Sequence, residues 1–215
     1  MFIDSTYFVG EINIPNKTAN ATEVTQAITQ YEKDILTALL GYKLYSLLVA
    51  DLDVHYAPQT APYIDLVNGA EFTHSFNGND YTLKWNGLVN DDLISLIAYY
   101  VWYKYVERDV TRLYGTGVSI ANTEQGWTRA SAVDKLCAAW EQMRILYGRI
   151  PPEYRNRYNP FVGQTHGFFD RPILGNQLPC VFDTEPSAYN FLFANRTKYP
   201  DWIFTPQWNI NQFGI

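Results

Sequence analysis

A chain of 215 residues that is 47% hydrophobic and 18% charged can bury enough apolar surface to offset the entropy of ordering, which excludes the globally disordered class. Its net charge of −6 excludes tight, sequence-independent DNA binding, because that binding comes from Lys and Arg neutralising phosphates. Aromatic residues reach 16%, with 17 Tyr and 6 Trp; this exceeds what one core needs, and such rigid, amphipathic side chains are favoured where proteins meet.

The first ten residues carry no basic n-region, and the longest apolar run, residues 93–103, is too short to span a bilayer. The expectation is therefore a soluble, unsecreted chain with no membrane partner. Asn20 and Glu23 have capping-box character, and Val24, Ile28, Tyr31, Ile35 and Leu39 follow at helical spacing up to Gly41. A short second helix over residues 42–50 keeps Leu44, Leu47 and Leu48 on an apolar face. Residues 72–76 and 81–85 alternate around Asn77-Gly78-Asn79-Asp80, which predicts a β-hairpin near residues 72–85.

Asn90 reads as the N-cap of a helix that starts at Leu93 and runs to Tyr114, where Gly115 and Gly117 stop it. Its first half is apolar all round, as a central helix covered on every side requires. A last helix, over residues 128–147, carries Val133, Leu136, Trp140, Met143 and Tyr147 as one stripe. Cys137 falls in this stripe and reads as a buried thiol. With Cys180 it makes too few cysteines for a disulfide framework, so a reducing compartment is expected.

Composition changes near residue 150. Residues 1–149 hold 11 basic and 17 acidic groups, whereas residues 150–215 hold 5 of each, with 8 of the 11 prolines and 14 of the 35 aromatics. The domain reading is a helical unit over residues 1–149 and an extended arm, rich in proline and aromatics, over residues 150–215. An arm of that composition cannot easily form its own core, so it is expected to lie across a neighbour with Tyr and Trp as anchors.

Little in the chain points to catalysis. Asp51-Leu-Asp53-Val-His55 could meet a divalent metal only if extended, and it reads better as a polar loop after the second helix. Asp91 with Asp92, and Glu107 with Asp109, read as helix-start charge and surface ion pairs rather than a glycosidase dyad. His55, His74 and His166 lack zinc-motif spacing, and no nucleophile elbow or phosphate-binding glycine loop occurs. No catalytic residue, metal or cofactor is expected. Arg149, Tyr154, Arg155, Arg157 and Tyr158 form a basic and aromatic patch; docking on an acidic protein surface is the preferred reading over contact with DNA phosphates. Trp202 and Trp208 are the expected anchors of the arm.

The order of these elements, with Asn68-Gly-Ala-Glu-Phe72, Trp85-Asn-Gly-Leu88, the aromatic helix from Ala98 to Tyr105, Tyr114-Gly-Thr-Gly-Val118 and a helix bearing Trp140, resembles the head-to-tail connector (adaptor, or ring) proteins of tailed bacteriophages, closest to those of crAss-like phages. The resemblance covers roughly residues 20–148; the region after Arg149 departs from the compact connector fold. It implies a mainly helical adaptor domain with no catalytic residues, assembled as a homo-oligomeric ring, commonly a dodecamer. Such a ring sits in the virion neck or tail beneath the portal protein and other ring or tail proteins, and double-stranded DNA passes through it. Before assembly the subunit would reside in the host cytoplasm. The alternative is a carbohydrate-binding or hydrolytic tail module, which would need strands around a groove.

Overall fold

The computed structural model describes residues 1–14, 20–76, 79–110, 113–114, 117–118, 132–148, 186–205 and 207. The chain opens with a strap, residues 1–14, holding two 3-10 turns, Ser5–Tyr7 and Gly10–Ile12. Its Ile3, Tyr7, Phe8, Ile12 and Ile14 enter the core. Helix α1 (Ala21–Leu40) buries Val24, Ala27, Ile28, Ile35, Leu36, Leu39 and Leu40, as its periodicity requires. Asn20 stands at its N-cap but makes no side-chain capping bond.

Gly41 ends α1 at φ 78°, and a Cβ there would lie 2.9 Å from the Cβ of Ile203. Helix α2 (Tyr42–Asp51) buries Leu44 and Leu48, whereas Leu47, expected on the same face, is exposed. Helix α3 (Ala61–Asn68) was not foreseen; it is short, starts with a proline in its first turn, and buries Leu66 and Val67.

Strands β1 (Ala70–Phe76) and β2 (Asn79–Trp85) form the expected hairpin, antiparallel, with Phe72 opposite Leu83 and Ala70 opposite Trp85. The period-2 rule places these four residues on one face, and Phe72 and Trp85 are buried there while Glu71 and Thr73 are exposed. Gly69 and Gly87 face each other across the hairpin base at φ 89° and 90°, and a Cβ on Gly87 would sit 2.7 Å from the Gly69 nitrogen. Gly87→Ala should therefore lower the unfolding free energy by about 1–3 kcal/mol, read as an earlier denaturation midpoint; an unshifted midpoint would show that the two backbones can part freely.

Helix α4 spans Leu96–Val110, shorter than expected at both ends. Leu93 adopts φ 58°, which a helix cannot contain. Asn90 instead closes a local turn on Ile94 through Nδ2 and Oδ1, at 2.6 and 3.1 Å. Ser95 Oγ accepts the Ile97 N–H at 3.2 Å and donates to the Leu88 carbonyl at 2.7 Å. After α4, Leu113–Tyr114 (β3) pairs antiparallel with Gly117–Val118 (β4), where the last helical turn had been expected.

Leu96, Ile97, Ala98, Tyr100, Val101, Trp102, Tyr103 and Tyr105 of α4 are all buried, so the helix is central. Helix α5 (Ala132–Tyr147) packs along it, with the Trp140 ring 4.8 Å from Tyr103 and 6.3 Å from Tyr100. The expected start of α5 at Thr128 lies outside the described residues. Cys137 is half-exposed rather than buried, because it stands beside the Leu136, Trp140, Met143 stripe and not within it.

The architecture is thus mainly helical, with one long β-hairpin. Residues 186–205, part of the expected extended arm, do not stand apart from it. Ser187 caps helix α6 (Ala188–Ala194) by accepting the Asn190 N–H at 3.2 Å. Phe191, fully buried, places its ring 5.4 Å from Phe72 edge-on, 6.0 Å from Trp85 stacked and 6.1 Å from Tyr199. Beyond it the backbone N–H groups of Ile203 and Thr205 donate to the carbonyls of Leu40 and Ala38 at 3.2 and 2.9 Å. The apolar side chains of α6 and Tyr199 join the same core cluster as the strap, α1 to α5 and the hairpin. Among the described residues no helix is long and apolar enough to cross a membrane.

Candidate assembly surface

Loop geometry builds the most distinctive exposed feature, at residues 51–60. Helix α2 stops at Asp51, whose Oδ2 accepts the N–H groups of Gln59 and Thr60 at 2.8 and 2.9 Å. Asp53 Oδ1 accepts those of His55 and Ala57 at 2.8 and 2.9 Å, an Asx turn nested inside the first brace. Backbone bonds add Asp53 N–H to the Ala57 carbonyl at 3.0 Å and Tyr56 N–H to the Asp53 carbonyl at 3.1 Å, and Leu52 bridges Pro58. Two carboxylates and several backbone bonds thus brace the loop from within.

Such bracing shows in the acid chemistry. The slight burial of Asp51 pushes its carboxyl up, but the N–H groups of Thr60 and Gln59 and the Thr60 hydroxyl outweigh this and hold it below the ordinary carboxylate range. The N–H groups of Ala57 and His55 hold Asp53 below it too. Both braces are complete above the ordinary carboxylate pKa and are lost as pH falls through the lowered values. The Asp51, Asp53 and His55 cluster therefore folds as the polar loop expected of it, its carboxylates engaged by backbone donors.

At the apex of this loop stand Val54, 88% exposed, and Tyr56, 54% exposed and held at φ 62°. A tyrosine in the left-handed region is strained, and strain of that kind persists where the surroundings over-determine it. Helix α2 adds the exposed side chains of Tyr42, Leu47 and Val49, and α3 adds Ile64. Six of the eleven exposed large apolar side chains among the described residues thus fall within residues 42–64, and a seventh, Ile203, lies against Gly41. Lys43, the cation of this stretch, pairs with Asp201 at 2.6 Å.

Trp202, expected to anchor on a neighbour, is half-buried against its own chain. Its Nε1 donates to the Leu39 carbonyl at 2.8 Å, and its ring lies 5.4 Å from Tyr189 and 6.1 Å from Phe204. Arg149, Tyr154, Arg155, Arg157, Tyr158 and Trp208, the other expected contact residues, lie outside the described residues. Val54 and Tyr56 escaped the sequence reading; the two aspartates spaced for nested Asx turns were the available signal. Where the hairpin base meets the start of α4, residues including Trp85, Asn90, Ile94 and Leu146 line an indentation of about 30 Å³, room for a water rather than a substrate.

No protein-family model, curated protein or solved structure matches the chain.

Proposed function

We propose that this chain is a structural subunit of a virion neck or tail, assembling with copies of itself into a ring that joins a portal to a tail and continues the DNA channel. Its work is mechanical. The observation that carries this reading is the concentration of exposed apolar side chains over residues 42–64, among them Val54 and Tyr56 on a loop braced by the Asp51 and Asp53 carboxylates. Exposed large apolar side chains are costly in water, and their concentration in one stretch of chain supports a place where another protein sits; a loop already braced by its own hydrogen bonds loses little entropy on docking.

The acidic balance supports the channel role. A ring of like subunits would multiply the −6 of one chain about twelvefold if dodecameric, and a negative lumen lets DNA slide without adhering. The resemblance of residues 20–148 to head-to-tail connectors supplies the type of assembly. Native mass spectrometry of the purified chain, alone and with portal protein, tests it: the expected result is a closed ring, alone or on the portal. A persistent monomer indifferent to portal would overturn the reading.

A further inference from the structure

The hairpin is a sheet of two strands, so it carries two outer edges. Its closing pair, Phe76 opposite Asn79, flanks a two-residue turn, and such a pair exchanges its backbone bonds within the hairpin. Because the pattern alternates, Glu71 and Thr73 of β1, and Asp80, Thr82 and Lys84 of β2, aim their N–H and carbonyl groups away from the partner strand. All five of these side chains are exposed. Among the described residues, no backbone bond from outside the hairpin reaches Glu71, Thr73, Thr82 or Lys84. The two edges differ in their cover: helix α6 packs on β1, whereas β1 is the one described element that packs closely on β2.

An open edge with aligned donors and acceptors is a template for another strand. Charged side chains commonly guard such an edge by repelling a like neighbour. On β2 their order does the opposite. With β2 antiparallel to β2 of a second copy and Thr82 opposite Thr82, Lys84 of each copy falls opposite Asp80 of the other, giving two pairs of opposite charge on the exposed face. The same register sets Leu83 beside Tyr81 of the second copy on the other face, and both side chains are only half-buried in the single chain. The β1 edge, centred on Thr73, would set Glu71 opposite Ser75 and offers no such match.

We propose that β2 pairs antiparallel with β2 of a second copy of this chain, in the register centred on Thr82, so that two hairpins make one four-stranded sheet. The outward backbone groups of Thr82 bond their counterparts, as do those of Lys84 with Asp80. The contact is two-fold, each copy using the same surface, and it stands apart from the ring reading, whose contact lies on residues 42–64.

In this register the two Thr82 Cα atoms stand about 5.5 Å apart, a spacing that a disulfide can bridge. Thr82→Cys in the full chain, under oxidised glutathione, should therefore link two copies at least about tenfold faster than Thr73→Cys on the other edge, because pairing raises the local thiol concentration. The unaltered chain, with Cys137 and Cys180, sets the background. Adding Lys84→Asp to Thr82→Cys puts two acids opposite each other and should slow linkage about tenfold; adding Asp80→Lys as well exchanges the charges and should restore it. Equal rates for Thr82→Cys and Thr73→Cys would overturn the proposal, as would a charge exchange that fails to restore linkage. Fastest linkage in a mixture of the two cysteine variants would overturn it too, since β2 would then be meeting β1. If Thr82→Cys melts earlier than the unaltered chain, hydrogen exchange of the latter decides. The amides of Thr82 and Lys84 should gain protection as concentration rises, and protection that does not change with concentration would overturn the pairing.

Discussion

Phe191→Ala is expected to lower the unfolding free energy by about 3–5 kcal/mol and to strip hydrogen-exchange protection from residues 186–205. Phe191 is 1% exposed and touches three rings from three parts of the chain: Phe72 on β1, Trp85 on β2 and Tyr199 after α6. Deleting the ring leaves a cavity that these neighbours cannot easily fill. Trp85 is tethered through its Nε1 to the Leu66 carbonyl at 2.9 Å, and Tyr199 through its hydroxyl to the Pro62 carbonyl at 2.5 Å. Burial pushes the Tyr199 phenol well above its ordinary range, so it remains a neutral donor at all ordinary pH values. The hairpin gains its buried face largely from α6, and a two-stranded hairpin is marginal without such cover. Denaturant unfolding followed by fluorescence and by exchange gives the number. A change below about 0.5 kcal/mol, the range of a surface substitution, would mean that α6 does not rest on this hairpin.

That expectation inverts part of the sequence reading, and the reason is physical. Fourteen aromatics interrupted by eight prolines in residues 150–215 indeed argue that the segment lacks a core of its own. Composition cannot say whose surface shelters it. For residues 186–205 the shelter is the chain's own hairpin and the C-terminal end of α1, reached through Phe191, Tyr199 and Trp202. The Tyr147 hydroxyl also donates to the Thr205 carbonyl at 2.6 Å, joining α5 to this stretch.

Elements with strong periodicity were legible: α1, the aromatic body of α4, and α5 each carry an apolar stripe long enough to outweigh local noise. The hairpin was legible because Asn77-Gly78 between alternating runs leaves few other conformations. The start of α4 was not. Asn90-Asp91-Asp92 is as good a local helix start as Ser95, and the choice is made by a tertiary bond, Ser95 Oγ to the Leu88 carbonyl, together with the left-handed Leu93. Helix α3 was missed because eight residues carry too little period; its Pro62 falls in the first turn, where a helix tolerates proline. The exposed tip was missed for a related reason. Trp202 outranks Val54 on any scale of interface propensity, yet exposure depends on the fold and not on residue type.

Replacing Val54 with Ser and Tyr56 with Asn should weaken assembly roughly 30-fold to 1,000-fold while leaving the unfolding midpoint in place. The two side chains are 88% and 54% exposed, so neither contributes much to the folded monomer. Asn tolerates the left-handed backbone that Tyr56 holds at φ 62°, and the braces from Asp51 and Asp53 use backbone donors that both substitutions retain. The tip should therefore keep its shape and lose only its apolar surface. Central interface anchors cost about 2–4 kcal/mol when truncated, which is the stated range in affinity. Sedimentation of the original and double-variant chains over a concentration series, beside a thermal melt of each, separates the two effects. A variant that melts earlier would place these side chains in the monomer's own packing. One that melts normally and assembles as before would mean that subunits meet elsewhere, and the proposed contact through residues 42–64 would fall with it.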